Sequence, residues 1–130
     1  MAIRILIVDD HEVVRMGVRL LFSDNGPLQV CGEASDGPDA LRKVLELSPD
    51  VVILDVTMPG MNGFETAARM RQIAPSVKII FYSIHEIPAS ARISGGDAFI
   101  SKASASQELI MTVNRVMQSG GRVEPEGKLN

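Results

Sequence analysis

Val51-Val52-Ile53-Leu54-Asp55-Val56-Thr57-Met58-Pro59-Gly60-Met61-Asn62-Gly63 is the stretch whose reading decides the fold. Val51–Leu54 is apolar on both faces, as a central strand of a covered parallel sheet must be. It runs into an acid, Asp55. Met58 to Gly63 is rich in turn residues and predicts a loop before a helix over Phe64–Ile73.

The same alternation extends in both directions. Toward the N-terminus, Ile3–Val8 and Leu28–Ala34 read as strands. Val13, Val14, Gly17, Val18, Leu20, Leu21 and Phe22 recur at helical spacing, up to the stop Asn25-Gly26-Pro27. Asp36-Gly37-Pro38 reads as a turn, and Ala40, Leu41, Val44, Leu45 and Leu47 as a second helical stripe ended by Ser48-Pro49. Toward the C-terminus, Val77–Tyr82 and Ala98–Ile100 are strands and Gln107–Met117 an amphipathic helix. Strands alternating with helices make a (βα)5 chain, an α/β fold with a parallel sheet. Between the last two strands, Ile87–Gly96 leaves room for about two helical turns. The expected division is a domain over 1–119 and a tail or linker start over 120–130.

Composition narrows the function. The 130 residues are 45% hydrophobic and 22% charged, with net charge −3. That is a globular balance, and an acidic one is poorly suited to nucleic acid or an anionic membrane. One cysteine, Cys31, excludes an internal disulfide and multi-cysteine metal sites, and is expected in the core. No apolar run reaches membrane-spanning length and the N-terminus lacks a signal-peptide pattern, so the expected location is cytoplasmic.

In open α/β sheets ligands bind outside the carboxyl ends of the strands. Those ends carry Asp9-Asp10, Asp55, Ser83 and Ser101-Lys102. Three acids on one rim repel unless a cation neutralises them. With oxygen donors, two histidines and no cysteine cluster, the matching ion is Mg²⁺. A carboxylate beside it is a possible nucleophile toward phosphorus, with the ammonium and hydroxyl holding the phosphoryl oxygens. The plainer alternatives are that Asp9 or Asp10 only caps the helix opening near His11, and that Lys102 is a solvated surface lysine. His11 either lines the site or opens the helix. His85 reads as a loop residue, Met58 and Met61 as loop packing, and Met111 and Met117 as helix core.

The motifs Ile5–Asp10, Val52–Gly63, Phe81-Tyr82-Ser83 and Ala98–Lys102 resemble, along the whole chain, the receiver (CheY-like) domain of bacterial two-component response regulators. Asp10–Val18 and Val30–Ala34 resemble its NarL/LuxR (FixJ-like) branch. The resemblance implies a flavodoxin-like, doubly wound five-stranded parallel sheet in the order 2-1-3-4-5. It implies that Asp55 accepts a phosphoryl group from a histidine kinase. Asp10, Asp55 and the backbone carbonyl of Thr57 would hold Mg²⁺, with Asp9 supporting. Lys102 would pair with Asp55 and then with the phosphoryl group. Ser83 and Phe99 would be the switch residues.

Some residues depart from that pattern. The interval from Ser83 to Lys102 is about one turn short, so a short, distorted or absent fourth helix is expected at residues 84–96. Phe99 stands where tyrosine is frequent, Ala103 where proline is, and Ile84 where a small residue is usual. The Lys102–Ala103 bond is expected trans. The expected output is a LuxR-type transcription-factor domain outside this chain; the alternative is a stand-alone receiver acting through protein contacts. Dimerisation on phosphorylation is expected, and no nucleic-acid or membrane binding by this domain. An enzyme is not expected: an aspartyl phosphatase would want a second acid at Thr57. A flavodoxin-like cofactor site would meet repulsion from Asp9-Asp10.

Overall fold

The computed structural model describes residues 2–24, 26–84, 95–104 and 106–118. The elements are β1 (Ile3–Val8), α1 (Glu12–Phe22), β2 (Leu28–Ala34), α2 (Gly37–Leu47), β3 (Val51–Asp55), α3 (Gly63–Ile73), β4 (Lys78–Ser83), β5 (Ala98–Ser101) and α4 (Ser106–Gln118). All ladders are parallel and the sheet order is β2-β1-β3-β4-β5. The expected α/β topology is therefore present. The expectation of a short fourth helix, the loop role of His85 and the tail 120–130 fall outside the described residues.

Alternation along the strands builds two cores. Ile5, Ile7, Ile53, Ile80 and Ile100 face α1 and α4, meeting Val18, Phe22, Leu109 and Val113. Leu6, Val8, Leu54, Ile79 and Phe81 face α2 and α3, meeting Ala40, Val44, Ala67 and Met70. β3 is buried at every residue, because both layers cover it.

Local chemistry sets the element ends. Asp36-Gly37-Pro38 is the start of α2 and not a separate turn: the Asp39 N–H donates to the Asp36 side chain at 2.8 Å, and Pro38 occupies the first helical turn. Asn62 and Glu65 form a reciprocal capping box that starts α3. β4 begins one residue later than Val77, whose N–H turns back to the Ala74 carbonyl.

Several expected core residues lie outside. Val13 and Leu20 on α1, Leu45 on α2 and Met111 on α4 are exposed. Each helix touches the sheet over a narrower arc than its apolar content suggests; in α4 the buried stripe is Leu109, Thr112, Val113 and Val116. Cys31 is half-buried, not core, and burial raises its thiol pKa, partly opposed by Arg4.

Candidate functional site

β1 and β3 are neighbours in the sheet, so their C-terminal ends bring Asp9-Asp10 beside Asp55. β4 pairs with β5 beyond them, and the Lys102 N–H donates to the Ser83 carbonyl at 2.7 Å. That bond fixes where the chain leaves β5 and turns Lys102 back over the acids. Lys102 Nζ lies 2.6 Å from Asp9 Oδ2 and 3.3 Å from Asp55 Oδ1. Asp9 is 2% exposed and Asp55 4%. Lys102 is therefore no surface lysine, and its shorter contact is with Asp9 rather than with the expected partner, Asp55.

Burial, then the charge of Asp9, raises the Asp55 pKa above the usual carboxylate value; Lys102 and the Thr57 N–H pull it down by less. Burial alone would lower the Lys102 pKa, but the hydrogen bond and charge of Asp9, followed by those of Asp55, hold it above the ordinary lysine value. Lys102 stays an ammonium and also sits 5.6 Å from the centroid of the Tyr82 ring.

The helix-cap reading of the first two acids does not hold as stated. The N-cap of α1 is His11, without a side-chain cap bond. Asp9 Oδ1 accepts the His11 N–H at 2.9 Å while the other oxygen takes Lys102, so one carboxylate serves helix and site together. His11, 66% exposed, lines the site: its Nδ1 is 3.2 Å from Asp9 Oδ1 and from Asp10 Oδ1. Asp10 Oδ1 is buried and accepts no hydrogen bond among the described residues. One donor atom each from Asp9, Asp10, His11 and Asp55 fall within 4.8 Å of one another. A buried carboxylate oxygen that accepts no hydrogen bond, clustered with the carboxylates of Asp9 and Asp55, fits Mg²⁺.

Thr57 is exposed, and its N–H reaches Asp55 Oδ1 at 3.4 Å. Gly63 holds the loop against the strand end: its N–H donates to the Val56 carbonyl at 2.8 Å, and a Cβ there would lie 2.2 Å from the Asp55 carbonyl oxygen. Ser83 is buried at the end of β4. Phe99 is half-buried and stacked on Phe81, centroids 5.3 Å apart. No cis peptide occurs among the described residues, so Lys102–Ala103 is trans.

An open pocket at Asp55 is lined by His11, Val14, Asp55, Thr57, Ile84 and Lys102. Sequence reasoning gave no role to Val14 or to Tyr82 beneath Lys102. The signal for Tyr82 lay in the register: it pairs directly with Asp55 across β3 and β4.

Comparison with known proteins agrees with this geometry. A family model described as "Response regulator receiver domain" matches residues 5–114. The response regulator GacA of Pseudomonas viridiflava is 33% identical over 127 residues, covering 95% of this chain; the chain spans only 59% of that relative's length. A LuxR-family two-component response regulator from Aurantimonas sp. superposes with TM-score 0.86 at 31% identity, covering 92% of this chain and 87% of the other. The receiver domain of the response regulator NarL from Mycobacterium tuberculosis gives 0.84 at 34%, covering 90% and 97%.

Proposed function

We infer the function from one premise: the chain belongs to the response regulator receiver domain family. On that premise Asp55 is the acceptor of a phosphoryl group carried by a phosphohistidine of a histidine kinase. A carboxylate oxygen of Asp55 attacks phosphorus, the phosphorus–nitrogen bond breaks, and the imidazole keeps the electron pair and takes a proton. The observation that carries this reading is the setting of Asp55: buried at a strand end, lining the pocket, and faced by the Lys102 ammonium and by the acids Asp9 and Asp10.

Asp10, Asp55 and the Thr57 carbonyl would hold Mg²⁺, with Asp9 supporting. The ion would screen the acids from the incoming phosphate and polarise its oxygens. Lys102 would shift from its contact with Asp9 toward the new charge. Ser83 would hydrogen-bond a phosphoryl oxygen, and Phe99 would repack with it, changing the β4–β5 end of the molecule. The chain turns over no substrate of its own in this reading. Within a longer regulator the switch would control a LuxR-type DNA-binding domain, the receiver itself binding neither nucleic acid nor membrane. Among the described residues no helix is long and apolar enough to cross a membrane; the cytoplasmic location follows from the receiver reading, whose kinase partner would meet the chain there. The exposed Val13 and Leu20 of α1 and Met111 of α4 favour dimerisation through these helices.

Intact mass after incubation with Mg²⁺ and acetyl phosphate tests the reading. Wild type should gain one phosphoryl group, lost when Mg²⁺ is chelated, and Asp55→Asn should gain none. Equal labelling of the two would overturn it. The same assay addresses Ile84, which lines the pocket mouth and is largely exposed. Its side chain restricts water access, so Ile84→Ala should shorten the phosphoryl half-life; an unchanged or longer half-life would remove that role.

A further inference from the structure

We propose that Arg15 and Glu33 are positioning residues for the acceptor site, a brace that fixes Asp9 and through it Lys102; this rests on the receiver reading above. The two stretches that resemble the NarL/LuxR branch, 10–18 and 30–34, each supply one member. Nothing in the phosphoryl chemistry described so far uses either.

A bulge brings them together. Leu28 and Val30 face the α1–α4 core. Strict alternation from there would send residue 33 to the opposite face. Instead the β1–β2 register passes from Ile5↔Val30 to Leu6↔Gly32, leaving Cys31 as the extra residue. Beyond the bulge, Ala34 packs in the α2–α3 core, and a Cβ on Gly32 would meet Leu47 at 2.6 Å and touch Leu6 at 3.5 Å, both of that layer. Glu33 therefore emerges beside α1.

There its Oε1 accepts from Arg15 Nε at 3.0 Å, and its other oxygen accepts from Arg19. The largely buried Arg15 uses a second nitrogen, Nη1, to donate to the Asp9 carbonyl at 2.6 Å. Asp9 is thus held at every polar atom. Its N–H donates to Ala34 at 3.1 Å, its carbonyl takes Arg15, and its carboxylate takes Lys102 and the His11 N–H. Ala34 and Arg15 anchor the backbone; Lys102 and His11 are what that anchoring orients. The guanidinium fork presents two separate nitrogens, Nε to Glu33 and Nη1 to Asp9, a spacing that the single nitrogen of lysine does not reproduce.

Three substitutions separate positioning from charge and from folding. Arg15→Ala should weaken Mg²⁺ binding about tenfold, the scale of lost outer-shell partners. Binding is read without phosphodonor from the shift of the His11 amide in Mg²⁺ titrations, and the acetyl phosphate labelling rate should fall with it. Arg15→Lys keeps the charge and loses the fork, so it should not restore either quantity. Arg19→Ala removes the other Glu33 contact without touching Asp9 and should match wild type. Wild-type Mg²⁺ affinity and labelling in Arg15→Ala, or full rescue by Arg15→Lys, would overturn the brace. If Arg15→Ala does not fold, Glu33→Ala carries the same expectation, and wild-type behaviour there overturns it. A wild-type protein that neither binds Mg²⁺ nor labels would instead sink the receiver reading itself, and the brace with it.

Discussion

Asp55 is costly to the folded chain. Burial and then the neighbouring Asp9 raise its pKa, and Lys102 offsets them incompletely. A carboxyl whose folded pKa exceeds its unfolded value favours folding in its protonated form. That contribution is complete below the unfolded pKa of about 3.9 and is lost as pH rises through the folded value. At neutral pH the ionised side chain therefore costs stability. In Mg²⁺-free buffer Asp55→Asn should raise Tm by a few degrees at neutral pH. The gain should vanish as pH falls below the ordinary carboxylate range, where wild type is protonated in both states. Thermal melts of both proteins across pH check this; a neutral-pH loss of stability in the variant would contradict it. At this scale the sequence shows which acids meet, because each sits at a strand end. It does not show that Lys102 prefers Asp9, since that choice depends on where β5 releases the chain.

Among elements, loops rather than strands set the precision of the site. The segment from Asp55 to Gly63 doubles back so closely that a Cβ at Gly63 would lie 2.2 Å from the Asp55 carbonyl oxygen and 2.8 Å from Val56 Cα. Both are backbone atoms and cannot swing aside. Gly63→Ala should destabilise by about 1–3 kcal/mol, the usual cost of overpacking, and should shift the end of β3. Denaturant midpoints measure the first effect; a loss below that range would mean the loop moves freely. The pattern PGMNG marks a turn before a helix, but the Asn62–Glu65 capping box that starts α3 is not among the sequence expectations, although the spacing of an Asn and a Glu three residues on carries its signal. The bulge at Cys31 is not legible. Val30, Cys31 and Gly32 fit either register as residue types, and only pairing with β1 chooses. Helix faces suffer similarly: the apolar stripe of α1 includes Val13 and Leu20, which the sheet never reaches.

For the whole molecule, strand order turns a one-dimensional pattern into a site. Because β1 and β3 lie side by side at the centre, acids 46 positions apart in the chain converge on one rim, while Lys102 arrives over the top from the edge strand β5. This architecture was readable because short hydrophobic runs recur five times between helical stripes, three of them leading into Asp9, Asp55 and Ser101-Lys102, and parallel α/β topology leaves few ways to connect them. The two buried layers make the sheet a rigid support, so a charge change at its rim is felt by the side chains that bridge strand ends. Lys102 is the bridge seen here, tied by its backbone to Ser83 and by its ammonium to Asp9 and Asp55. The claim on which the rest depends is that phosphorylation occurs on Asp55. Borohydride reduction of the phosphorylated chain converts an acyl phosphate to an alcohol, and peptide mapping then locates it. The expected result is homoserine at residue 55 and at no other acid; homoserine at position 9 or 10, with Asp55 unmodified, would contradict the account.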